Sequence, residues 1–255
     1  MNMEFSALRF LEKNPAQQAK RKPIFPKSQK QNTDPIRVVV NLKCEAMGLH
    51  KSILLTKLQH SIQAVSKNKV SKPRREILQP LLGYIQHKID NKEAVNLHFI
   101  CTHNSRRSQF AQIWAQTMAY YFGLETHCFS GGVEVTAFNE RAVETLVRAG
   151  FQVQKNEHPE NPIYQVFYVK GKSPMLAFSK LVEDPINPNF GFAAIMTCTH
   201  ADENCPVVFG AEMRIPIRYN DPKAFDDTPQ ENLKYDECSE QIASEMYWVF
   251  SKINS

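Results

Sequence analysis

Apolar residues recur along this chain in two patterns, and the change between them marks its organisation. Leu54, Leu55, Leu58, Ile62 and Val65 return at helical spacing, as do Ile77, Leu81, Leu82, Ile85 and Ile89. That spacing predicts two amphipathic helices within residues 50–90, separated by a basic break from Lys67 to Arg75 that contains Pro73. From Val95 onward, short apolar runs alternate with helical stretches. Strands are expected at about 95–101, 126–130, Phe192–Thr197 and Met213–Arg218. Helices are expected at about 107–122 and 139–149, with a last one from about Ser239 to Lys252. The segment 159–190 is longer than a simple connection needs. Its Ile163–Val169 and Met175–Phe178 runs flank Lys-Gly-Lys-Ser-Pro and predict an inserted hairpin. Strands alternating with helices imply an α/β fold: a doubly wound, mainly parallel four-stranded sheet that binds its ligand at the carboxyl ends of the strands.

Residues 1–48 have no such period and carry Pro15, Pro23, Pro26 and Pro35 among lysines and glutamines. They are expected to be a disordered basic leader, although Ile36–Leu42 could pair as a strand. Met47 precedes a marked change of texture, and a functional product starting there is one hypothesis. The expected organisation is a leader at 1–48, a helical hairpin extension at 49–93 and a catalytic domain at 94–255.

Charge follows the same division. Residues 1–93 hold 18 Lys/Arg against 7 Asp/Glu, and residues 94–255 hold 13 against 19, so the basic character belongs to the first third. No nucleic-acid reading motif or aromatic interleaving accompanies it, and a solvated helical face with a basic leader is the reading taken. No run reaches the 18 or more apolar residues of a membrane span, and no signal-peptide pattern opens the chain. A soluble cytoplasmic protein is expected. Six cysteines in 255 residues do not make a small secreted disulfide framework. In a reducing compartment their interest is catalytic or redox, with Cys44, Cys128 and Cys238 read as packing residues.

The chemistry concentrates between Cys101 and Ser108, which read Cys-Thr-His-Asn-Ser-Arg-Arg-Ser. A strand delivers the Cys101 sulfur to a loop that runs into a helix N-terminus, where unpaired amides and the helix dipole favour an anion. A free cysteine titrates near pH 8.5, and such surroundings can lower that to roughly 3.5–7.5. Arg107 offers a planar fork for two oxyanion oxygens. Ser108 can donate to the sulfur, and Asn104 can brace the loop. Thr102, His103, Asn104, Ser105, Arg106, Arg107 and Ser108 together form the candidate oxyanion-binding loop for phosphate or arsenate, with no metal or cofactor called for.

Residues 96–151, from Asn96-Leu97-His98-Phe99-Ile100-Cys101 through Phe129-Ser130-Gly131-Gly132 to Ala149-Gly150-Phe151, resemble the low-molecular-weight tyrosine phosphatase superfamily. Within it they look most like the thioredoxin-coupled arsenate reductases. The resemblance spans roughly residues 95–252 and implies a Cys-x5-Arg-Ser loop and an Asn-capped helix starting near Asn139. Two positions depart from the pattern. His103 stands where glycine is usual, which questions whether that position needs a positive φ, and Arg106 stands where a second cysteine is common.

The resemblance also assigns roles beyond the loop. Cys198 would attack the Cys101 sulfur to release arsenite, and Cys205 would carry the disulfide to thioredoxin. A disulfide needs Cα atoms about 4.4–6.8 Å apart, so the two cysteines can pair only if the segment between them folds back. Thr-His-Ala-Asp-Glu-Asn before Pro206 is composed like a loop that does so. Zinc ligation by Cys198, His200 and Cys205, or two unrelated reduced thiols, are the alternatives. Asp221-Pro222 matches the family's general acid, a role that calls for a raised carboxyl pKa. Asp226 and Asp227 share its loop, and Tyr219 and Phe225 are candidates for the pocket wall. The first reading is therefore an arsenate reductase using Cys101, Arg107, Asp221, Cys198 and Cys205, with arsenate as substrate and thioredoxin as donor. A phosphatase acting on phosphotyrosine or aryl phosphate needs only the first three. A non-catalytic oxyanion sensor is the third reading.

Overall fold

The computed structural model describes residues 53–156, 160–204 and 207–254. The expected leader, the Ile36–Leu42 strand, Met47, Cys44 and Cys205 lie outside them.

Two helices open the described chain, α1 (Thr56–Val65) and α2 (Lys72–Asp90). Ser71 caps α2 by accepting from the Arg74 amide, and Pro73 occupies its first turn, where no amide is missed. Strand β1 (Asn96–Cys101) then leads through the Cys101–Ser108 loop into α3 (Arg107–Tyr121). Strand β2 (His127–Gly132) follows, and then α4 (Glu140–Ala149). As expected, Asn139 caps α4, its side chain accepting from the Arg141 and Ala142 amides. Gly150 ends α4 in the left-handed conformation, with φ 105°.

The inserted segment forms a separate antiparallel sheet of β3 (Gln152–Lys155), β4 (Tyr164–Phe167) and β5 (Met175–Ala177). The hairpin was legible from its apolar runs. β3 was not, because Gln-Val-Gln-Lys has one apolar residue and becomes a strand only by pairing with β4. The start of the described chain joins this sheet's flank: the Leu55 amide donates to Tyr168 O, and the Lys170 amide donates to Ile53 O.

The chain returns to the main sheet as β6 (Phe192–Met196), turns through the six-residue α5 (Thr199–Asn204) and enters β7 (Ala211–Pro216). A 3-10 turn, Pro222–Phe225, precedes the final helix α6 (Glu231–Phe250). α6 begins eight residues before the expected Ser239. Its first turns carry few apolar residues and are held instead by tertiary pairs: Tyr235 with Asp226, Glu231 with Arg141, and Asp236 with Arg148.

The main sheet is parallel throughout, in the order β2-β1-β6-β7, with Cys101 opposite Gly132 and Ile100 opposite Met196. The chain moves from β1 to one side first and then to the other, so the direction of winding reverses between β1 and β6. Open α/β sheets bind ligands at the carboxyl edge of such a reversal. Alternate residues of these strands enter opposite apolar clusters. Leu97, Phe99, Ala193 and Ile195 pack with the helices, while Ile100, Ala194 and Met196 pack with Val182 and Ala201. Both faces are thereby buried, as a parallel sheet requires. Leu58 and Ile62 of α1 and Leu78, Leu81 and Ile85 of α2 belong to the larger cluster, so the two helices share the core of the sheet. Among the described residues no helix is long and apolar enough to cross a membrane.

Candidate active site

Cys101 ends β1, and the loop after it is held from several sides. Its Sγ lies 3.0 Å from Ser108 Oγ. Asn104 Nδ2 donates to that hydroxyl at 2.9 Å, which leaves the hydroxyl hydrogen to point at sulfur. Asn104 is the left-handed residue of the loop, with φ 46°. The positive φ therefore falls on Asn104 and not on His103, and a histidine fits where the resemblance anticipates glycine. Asparagine tolerates this conformation through local hydrogen bonds. Here its Oδ1 accepts from the Lys180 amide, and its carbonyl accepts from Gln109 Nε2.

Neighbouring segments complete the frame. Ser105 Oγ donates to Ala137 O, and Ser179 Oγ donates to His103 O. Thr102 O accepts from the Val133 and Glu134 amides. Gly132 must be glycine because a Cβ there would stand 2.8 Å from Asn104 N and 2.9 Å from Thr102 O.

The loop and the Asp221 turn enclose a narrow cavity of only about 10 Å³, lined by Cys101, His103, Ser105, Arg106, Arg107 and Asp221, so the Arg–Asp221 pairs must part before an oxyanion can enter. Arg107 reaches Asp221 Oδ2 at 2.7 Å and Tyr219 O at 3.1 Å. Arg106 Nε donates to Asp221 Oδ1 at 2.9 Å. Burial by itself would raise the Asp221 carboxyl, but the Arg107 and Arg106 guanidiniums outweigh it and hold the group below the ordinary carboxylate range. This direction is opposite to the one the acid role led us to expect. Asp221 also accepts from the Lys223 amide and so caps the turn that Pro222 begins. His103 faces Glu134 across 3.2 Å at the rim.

Cys198 lies two residues beyond β6, across the winding reversal from Cys101, and both belong to the smaller apolar cluster. Thr102 Oγ1 stands between the two segments, 3.5 Å from Cys198 Sγ and 3.2 Å from His200 Nδ1. The Ala201 amide donates to Cys198 Sγ at 3.3 Å. The residues expected to form a fold-back loop after Cys198 are instead helical, as α5. Asp202 explains this: it is buried on α5 and paired with Arg214 and Arg218 of the β7 segment, contacts the sequence pattern does not reveal.

Cys101, Cys128, Cys198 and Cys238 are free thiols. Burial pushes the Cys128 thiol far up and that of Cys238 up to about 12. Asp226 and Asp227 turn to Tyr235 and Arg141 and away from Cys101. Tyr219 packs under Arg74, and its backbone rather than its ring serves the site. Gln109, Ser179 and Lys180 were missed by the sequence reading. Two of them sit on a segment some seventy residues beyond the loop, and no local motif marks them.

No family model matches the chain. It is 29% identical over 126 residues to an arsenate reductase 2 of Staphylococcus epidermidis, covering 49% of this chain and 77% of that one. It is 30% identical over 112 residues to an arsenate reductase 2 of Staphylococcus haemolyticus, covering 44% and 66%. A low-molecular-weight protein tyrosine phosphatase from T. tengcongensis superposes with a TM-score of 0.43 at 15% identity, covering 63% of this chain and all of that one.

Proposed function

We propose that this chain, a relative of the arsenate reductases in the low-molecular-weight tyrosine phosphatase superfamily, reduces arsenate to arsenite through a relay of three cysteines. Residues 94–255 form the catalytic domain in this reading, and residues 49–93 are an extension that stabilises it. Cys101 attacks arsenic as the thiolate while Arg107 and the loop amides hold the oxyanion oxygens. An oxygen leaves as water. Cys198 then attacks the Cys101 sulfur, and the electron pair of the S–As bond stays with arsenic. Arsenic gains two electrons, and the two thiols lose two in forming a disulfide. Cys205 exchanges into that bond and frees Cys101, and an external dithiol such as thioredoxin reduces the Cys198–Cys205 pair.

Asp221 serves as the acid. An arriving dianion adds negative charge beside it and draws Arg107 toward the substrate. Both changes raise the carboxyl's hold on a proton from its low starting point.

The observation that carries this reading is the placement of Cys101 and Cys198 at adjacent strand ends, bridged by Thr102. A phosphatase has no use for the second thiol. One feature favours the phosphatase alternative: Thr199–Asn204, after Cys198, form a short helix rather than a loop that folds back.

Cys198→Ser separates the two activities. The variant is expected to lose arsenate-dependent NADPH oxidation in the presence of thioredoxin and its reductase, while its hydrolysis of an aryl phosphate is kept. Continued arsenate turnover by this variant would remove the relay.

A further inference from the structure

Lys180 is 2% exposed, yet no carboxylate lies within ion-pair distance of it among the described residues. Its ammonium rests on the Phe178 ring at 4.7 Å and reaches Ser130 Oγ at 3.4 Å. Desolvation lowers its pKa to about 8, offset only in part by the more distant Asp184. His98 on β1 lies alongside, fully buried, and is pushed down to about 3 by burial first and by Lys180 second. It is therefore neutral and supplies no counter-charge.

A buried, unpaired ammonium is costly, and its surroundings identify what it faces. The irregular segment 178–182, bridged to Gly132 at Leu181, lies against the Cys101–Ser108 loop and binds it repeatedly. Gln109 Nε2 joins Phe178 O to Asn104 O, Ser179 Oγ donates to His103 O, and the Lys180 amide donates to Asn104 Oδ1. The Lys180 carbonyl accepts from Gly132, the residue opposite Cys101 in the sheet. Among the described residues Asp184 is the one carboxylate whose charge bears on this ammonium, and only in part. The hydrogen bonds of the segment tie Lys180 to the loop that would gather charge on the Cys101 sulfur and on a bound oxyanion.

We infer that Lys180 is a positioning residue of the oxyanion site, a built-in cation sealed beneath the loop that favours the Cys101 thiolate and the bound anion. Its main chain holds Asn104 in the left-handed turn. The inference rests on the reading of the loop as an oxyanion site and adds a component that neither the motif nor the relay contains.

The test uses the full chain, iodoacetamide as thiol probe and inorganic phosphate as protecting anion, with modification at Cys101 followed by mass spectrometry. In Lys180→Met, half-protection is expected to need about tenfold more phosphate, a modest loss for one nearby unit charge at an effective dielectric of about 20. The pH profile of Cys101 alkylation is expected to move to higher pH, while the thermal midpoint is unchanged or higher because a desolvated charge has been removed. Lys180→Gln repeats the comparison should the methionine variant not fold. Unchanged protection together with an unmoved profile would overturn the inference. Weaker protection with an unmoved profile would also overturn it, since a loosened loop alone accounts for that. If phosphate fails to protect Cys101 even in the wild-type protein, the oxyanion-site reading itself fails, which is a separate result.

Discussion

Arg74 on α2 and Glu245 on α6 form the tie that most directly couples the N-terminal helices to the sheet beneath the site. Arg74 Nε and Nη2 each donate to one Glu245 oxygen at 2.7 Å, a two-pronged geometry that matches guanidinium to carboxylate. A third nitrogen donates to Arg218 O, and the guanidinium lies 5.1 Å from the Tyr219 ring centroid. The Glu245 side chain is 3% exposed, whereas that of Arg74 is 21% exposed. In Arg74→Met the carboxylate stays buried, with Gln241 Nε2 at 3.1 Å as its remaining side-chain donor. Breaking a buried pair from one side costs roughly 3–5 kcal/mol, and the partial exposure of Arg74 places this one near the lower end, about 3 kcal/mol. For a folded unit of this size that loss lowers the melting temperature by roughly 6–12 °C. Urea unfolding followed by tryptophan fluorescence and circular dichroism measures it directly. The double variant Arg74→Met/Glu245→Gln leaves no uncompensated charge and should recover most of the loss. The reasoning fails if Arg74→Met costs less than about 1 kcal/mol, the range of an exposed pair, or if the double variant is no more stable than the single one.

Two further predictions concern the frame around the site. Gly150→Ala places a methyl 2.5 Å from Leu58 N and 2.7 Å from Lys57 C, at a residue with φ 105°. It should cost more than about 1 kcal/mol and expose the α1–α2 connection to proteolysis, and an unchanged melting temperature with unchanged cleavage would refute it. Asp221 is held below the ordinary carboxylate value of about 3.9. Its stabilising contribution is therefore full at neutral pH and is lost as pH falls through the lower folded value. Asp221→Asn should be less stable than wild type at pH 7, by roughly 1–2 kcal/mol for a hydrogen-bonded charge. The gap between the urea midpoints should narrow as pH falls below the ordinary carboxylate value, and a gap that stays constant down to the acid limit of folding would contradict the assignment.

Helical and strand periods named most elements to within a few residues because burial on one face of a helix, or on both faces of a parallel sheet, leaves a local record. Leu58 and Ile62, Leu97 and Phe99, and Ala193 and Ile195 each carry that record. The Cys101–Ser108 loop was legible for the same reason: its cysteine, arginines and serine are close together in sequence, and the strand before it and the helix after it advertise themselves. Where the record was absent, the reading fell short. β3 needs its partner β4. The opening turns of α6 need Arg141 and Arg148. α5 is a helix because Asp202 meets two arginines from the β7 segment.

The chain's own order of residues determined the Cys101–Ser108 loop between strand and helix, the Asn139 cap and the alternation of strands with helices, all of which depend on neighbours only a few positions apart. Tertiary structure alone decided the ionisation of Asp221, which two guanidiniums from a loop 115 and 114 residues earlier control. It likewise decided that Asn104 bears the left-handed turn and that a buried Lys180 lies beneath it. Electrostatic and hydrogen-bond partners are chosen by distance in space, and distance in space is what a one-dimensional pattern does not encode.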